Sequence, residues 1–209
     1  MPKSFKEFRS ETSFNPDCTV IRFYAQSADG RVTTQTPDGA CVGLAASWIC
    51  NAAKHGRTDA TYFWRKNFGQ RGEDQSLPKS VGRVMKMQDD LKYPLLAPVK
   101  YLKKKEYLEY VLEGSITGEP TDVDVMCKSL EIQNTVSLIM LMNEKGNHAL
   151  GCAHVRSDAF QLFDPNIGDV EFYRIEDANK WLKALVSLYA ERGKIFDMYV
   201  PVFKVKSLC

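Results

Sequence analysis

Residues 40–53, ACVGLAASWICNAA, constrain the fold more than any other stretch of the chain. Val42, Leu44, Ala45, Ala46, Trp48, Ile49, Ala52 and Ala53 run most of the way round a helix. The helix predicted over 41–54 is therefore a buried one, not a surface one. A chain of 209 residues is long enough to enclose it in a single sizeable core.

The rest of the chain divides into a helical part and a strand-rich part. Residues 1–17 are polar with few apolar anchors and read as a flexible tail, leaving 18–209 as the folded domain. TVIRFYA (19–25) alternates like a short strand, and SADGRVTTQTPDG (27–39) is a turn-rich loop. Helical spacing follows over 58–69, 77–93, 104–114 and 121–131. Strands are then expected over 135–143, 148–156, 159–164 and 169–174, with Ser157-Asp158 as the tight turn between the middle two. An amphipathic helix over 175–193 has an acidic start and a glycine stop. The last strand, 196–205, contains Pro201 and is expected at a sheet edge. Helices first and antiparallel strands later make an α+β fold, not a βαβ repeat.

Several functions are excluded by composition. Twenty-eight basic residues against 26 acidic ones leave a net charge of +2, without the concentrated basic face of a nucleic-acid binder. The six cysteines, Cys18, Cys41, Cys50, Cys127, Cys152 and Cys209, form no CxxC pair, so no zinc site or other metal is expected. They read as reduced thiols. The first residues are polar, which speaks against a cleavable secretory signal, and no apolar run reaches membrane-spanning length. Lys103-Lys104-Lys105 is the densest basic run; it reads as a solvated helix start, with contact to an acidic membrane surface as its alternative use.

The chemistry concentrates around Cys41. A Pro-Asp-Gly turn precedes it, with Asp38 or Gly39 positioned to cap the helix. A thiol at a helix start meets the positive end of the helix dipole and unpaired backbone N–H groups, which favour thiolate and can bind an oxyanion. A nucleophilic cysteine needs a base, and the chain has three histidines. His55 ends the same helix, on the order of 20 Å away at 1.5 Å per residue. His148 opens a predicted strand, and His154 lies on the same side but near the hairpin turn, which favours His148. Asp164 closes the following strand in FDPNIG and, with the turn at 157–158, falls opposite about residue 151, within reach of the His148 end. A carboxylate there can orient the imidazole. Gln35, six residues before Cys41, is a candidate oxyanion donor together with the Cys41 backbone.

GACVGLAASWI, GNHALGCAH and LFDPNIGDVEF together resemble the three motif blocks of the YopT/AvrPphB-type cysteine proteases, bacterial effectors of the papain-like clan. The resemblance spans roughly residues 35 to 175. It implies a papain-like fold, with a helical lobe carrying the cysteine and a sheet lobe carrying His and Asp. It implies Cys41 as nucleophile, His148 as general base and then acid, and Asp164 as orienter, with no cofactor. It also implies a virulence effector, secreted by a specialised machine without a cleavable signal, that acts on host signalling proteins in the host cytoplasm; the sequence carries no oligomer signal, and a monomer is the default expectation. Two other readings share these residues: a glutamine deamidase or transglutaminase working through the same thioester, and a binding module that keeps the fold without turnover. The papain signature around the cysteine is absent, so papain's substrate preference does not transfer.

Overall fold

The computed structural model describes residues 4–26, 40–55, 79–89, 96–117, 123–143, 146–193 and 195–206. In chain order the elements are α1 (Phe5–Phe14), β1 (Cys18–Phe23), α2 (Cys41–His55), α3 (Lys79–Asp89), α4 (Ala97–Lys103), β2 (Leu108–Thr117) and α5 (Val123–Glu131). Then follow β3 (Thr135–Asn143), β4 (Gly146–Arg156), β5 (Ala159–Asp164), β6 (Gly168–Phe172), α6 (Ile175–Arg192) and β7 (Ile195–Val205). The strands form one sheet of order β1-β6-β5-β4-β3-β7-β2, and every neighbouring pair is antiparallel.

The sheet separates two cores, and strand periodicity assigns each side chain to one of them. Val136, Leu138 and Met140 of β3 face α2, α3 and α4, while Ile139 and Leu141 face the side of α1, α5 and α6. Burial on both faces explains why β3 reads as a continuous apolar run. In the middle of β4 the α2 side carries the small residues Ala149, Gly151 and Ala153, and the larger Leu150 and Cys152 point the other way. Trp48 of α2 settles on Gly151, where a Cβ would come 2.7 Å from the indole Cε3. The same indole stacks on Phe163 at 5.6 Å and donates its N–H to Asp169 Oδ2 at 3.0 Å. One glycine and one tryptophan thus set how closely α2 lies on the sheet.

The structure corrects three local expectations. Within the expected tail, residues 5–14 form α1, capped by the Ser4 hydroxyl, which accepts from Glu7 N–H at 3.1 Å. Phe8 packs against Trp181 of α6, and the Trp181 indole N–H donates to Thr12 Oγ1 at 3.0 Å. Few apolar anchors suffice because those present meet a preformed apolar helix face. The helix expected over 104–114 is instead a turn after α4 followed by β2: Leu108, Val111 and Leu112 fit the helical period, but Leu108, Tyr110 and Leu112 fit the strand period as well. Pro201 lies in β7, an inner strand between β3 and β2. The β3–β7 ladder is interrupted between the Ser137–Val202 and Met140–Tyr199 pairs, around the residue that has no N–H to give. The helix expected over 58–69 lies outside the described residues.

Candidate active site

Cys41 is the first residue of α2 and is buried. The helix begins with Leu44 N–H donating to Ala40 C=O at 2.8 Å. Ala40 N–H is itself taken by the side-chain oxygen of Gln26 at 3.1 Å. The N–H groups of the first turn, Cys41 among them, have no intrahelical acceptor. The Cys41 thiol lies 3.7 Å from the Asn147 carbonyl, next to His148 in the chain, and its side chain is one of the influences that raise the His148 imidazole.

A β-bulge makes the His148–Asp164 pair possible. An uninterrupted ladder from the Ser157-Asp158 turn would set Asp164 opposite residue 151, on the α2 face of the sheet and away from His148. The register shifts by one between Ala153 and Arg156, so Phe163 opposes Gly151 and Asp164 continues onto the face that carries Leu150 and His148. His148 Nε2 then lies 2.8 Å from Asp164 Oδ2, with both side chains buried. The other carboxylate oxygen, Oδ1, accepts the backbone N–H groups of Asn166 (2.6 Å) and Ile167 (2.9 Å). This turn closes at Gly168, whose φ of 127° and close approach to the backbone of Arg22 and Phe23 leave no room for a Cβ.

Burial by itself pushes the His148 imidazole down. The charge and hydrogen bond of Asp164, helped by Cys41, outweigh it and hold the imidazole up at about 10. With Nε2 engaged by the carboxylate, Nδ1 is the nitrogen left for the thiol. Such an arrangement can take a proton from sulfur, hold it, and return it to a leaving group.

The other sequence candidates are placed elsewhere. His154 packs tilted against Phe160, ring centroids 4.3 Å apart, near the hairpin end of β4. His55 ends α2, at the opposite end from Cys41. Gln35, Asp38, Gly39 and Cys209 lie outside the described residues. Burial pushes the Cys50 and Cys152 thiols up, as suits inert core cysteines. Lys103 and Lys105 rest over the Tyr110 and Tyr101 rings, at 3.7 and 4.1 Å. Among the described residues no group of His, Cys, Asp and Glu could hold a metal, and no helix is long and apolar enough to cross a membrane.

Two residues of the site escaped the sequence reading. Gln26 holds Ala40, just ahead of α2, from a loop that carries no signal for it. Tyr189 of α6 stacks on His148 with ring centroids 4.3 Å apart, its hydroxyl 2.7 Å from Nε2. In sequence it is one more apolar position of an amphipathic helix.

A buried helix bearing a thiol at its start, laid on an antiparallel sheet that carries a buried His–Asp pair, is a papain-like arrangement. The Peptidase C58 family model, described as Yersinia/Haemophilus virulence surface antigen, matches residues 3–197, and the chain belongs to this family, the YopT-type cysteine proteases. Among solved structures, the crystal structure of the Pseudomonas avirulence protein AvrPphB matches with a TM-score of 0.63 at 16% identity, covering 87% of this chain and 100% of that one. No curated protein sequence is matched.

Proposed function

We propose that this protease is an endopeptidase with a Cys41–His148–Asp164 triad, delivered by bacteria to cleave host signalling proteins. The observation that carries the reading is the buried 2.8 Å His148–Asp164 pair set against a thiol at the start of a helix. Cys41 attacks the scissile carbonyl as thiolate while His148 holds the proton. The N–H groups at the start of α2, with Gln35 as a further donor, receive the oxyanion. His148 then protonates the leaving amine, and later takes a proton from the water that releases the acyl group. Asp164 keeps the imidazole turned with Nδ1 to sulfur and stabilises its charged form. The family's description and the likeness to an avirulence protein support a role in the host cell. The chain is expected to act as a monomer without a cofactor.

Iodoacetamide labelling of each cysteine against pH tests the assignment. Cys41 should label far faster than Cys18 at pH near 6, and His148→Ala should abolish the difference. Equal rates for Cys41 and Cys18 in the wild type would refute the triad.

A further inference from the structure

The hydroxyl of the buried Tyr189 makes three contacts. Its O–H donates to Asp164 Oδ2 at 2.9 Å, and the oxygen lies 2.7 Å from His148 Nε2. Asn166 Nδ2 donates to the same oxygen at 2.9 Å. A phenol has one hydrogen to give and two lone pairs to offer. The hydrogen goes to Asp164, one lone pair takes the Asn166 amide, and the other faces Nε2–H. Every hydrogen-bonding capacity of the hydroxyl is used, in a site where an unused one is costly. Burial, reinforced by the Asp164 charge, pushes the phenol well above its ordinary value, so it remains a donor wherever the enzyme is folded. The ring is fixed as well: Phe5 of α1 packs on it at 4.9 Å, and the Arg192 guanidinium sits 4.2 Å over Phe5.

We propose that Tyr189, held by Asn166, is a positioning residue of the protease: its hydroxyl and Asp164 Oδ2 together grip His148 Nε2–H and aim Nδ1 at the Cys41 sulfur. The inference rests on the triad reading above. A single acceptor leaves the imidazole free to swing about that one hydrogen bond, whereas two acceptors on neighbouring elements, with the Tyr189 ring stacked on its face, fix its plane. Asn166 belongs to the Asp-Pro-Asn-x-Gly turn, so the turn that presents Asp164 also presents the residue that steadies Tyr189. One effect opposes this. Without the phenol's hydrogen, Asp164 Oδ2 would hold Nε2–H more tightly, and the imidazolium would be favoured rather than loosened. The two accounts predict opposite signs.

The test uses the full chain, with iodoacetamide as probe, in wild type, Tyr189→Phe, Asn166→Ala and the double variant. Tyr189→Phe keeps the stacked ring and loses only the oxygen. At pH 6 its Cys41 labelling should fall roughly tenfold or more, as expected for one lost hydrogen bond to a charged group. The acid limb of its rate–pH profile should move to higher pH, while Cys18 labels as in the wild type. The His148 Nε2–H proton should exchange with water faster in NMR spectra. Asn166→Ala should show a smaller loss of the same kind. The double variant should be no worse than Tyr189→Phe, because both act through one hydroxyl. Unchanged or faster Cys41 labelling in folded Tyr189→Phe would overturn the proposal. If Tyr189→Phe does not fold, Asn166→Ala carries the same test, and an unchanged profile there overturns it too. Wild-type Cys41 that labels no faster than Cys18 instead overturns the triad reading beneath it.

Discussion

Gly151→Ala should destabilise the protein although the same change is favourable almost anywhere else in a strand. Two effects compete. Replacing glycine narrows the unfolded ensemble and stabilises by about 0.4–1 kcal/mol where the backbone permits it. Against this, the new methyl would sit 2.7 Å from Trp48 Cε3, 3.1 Å from Cζ3 and 3.3 Å from Ile49 Cγ1. The indole cannot turn aside, because its face is stacked on Phe163 and its N–H is tied to Asp169. Relief requires α2 to lift from β4, and overpacking of this kind costs about 1–3 kcal/mol. The clash wins by about 1–2 kcal/mol, or roughly 2–8 °C in Tm for a domain of this size. Lifting α2 also moves Cys41 at its start, so Cys41 labelling should slow with the loss of stability. Gly82→Ala is the control. Gly82 lies within α3 with nothing within 4 Å of a new Cβ, so that change should stabilise by about 0.5–1 kcal/mol. Thermal melts of the two variants should shift in opposite directions. A Gly151→Ala melt at or above that of the wild type would refute the packing argument.

Other consequences are open to direct measurement. His148 is held above its unfolded value of 6.5, so its contribution to stability is complete below that pH and lost as pH rises through about 10. The stability difference between wild type and His148→Gln, from urea melts, should therefore shrink over that interval; a difference that grows would reverse the sign of the Asp164 interaction. Trp48→Phe deletes the indole N–H that Asp169 accepts in a buried setting and should cost about 1.5–3 kcal/mol in denaturant melts, with a loss below 0.5 kcal/mol counting against that hydrogen bond. Asp164→Ala should leave the fold intact enough to purify but slow Cys41 labelling at pH 6 at least tenfold; an unaltered rate would remove its orienting role.

The buried helix was legible in the sequence because a run of apolar and small residues all round a helix permits no other placement. Cys41 at its start, His148 at the head of β4 and Asp164 in the following turn could be named from spacing and turn chemistry. What joined them was not legible. The bulge between Ala153 and Arg156 moves Asp164 to the other face of the sheet, and no residue there announces it. Tyr189 reaches the site only because α6 folds back over β5 and β6, a tertiary fact that an amphipathic pattern does not encode. The segment YLEYVLE fits helix and strand periods alike, and its pairing with β7 decides the matter. Pro201 does not mark an edge, because an interrupted ladder on one side lets an inner strand tolerate it.

If Cys41 attacks peptide bonds with His148 as its proton carrier, cleavage products must depend on both residues. Enrichment of new protein N-termini from host-cell lysate treated with wild type, Cys41→Ala and His148→Ala tests it most directly. The account predicts a small set of new N-termini with the wild type that both variants fail to generate. The same N-termini in the Cys41→Ala sample, or deamidated glutamines in place of new N-termini with the wild type, would contradict it.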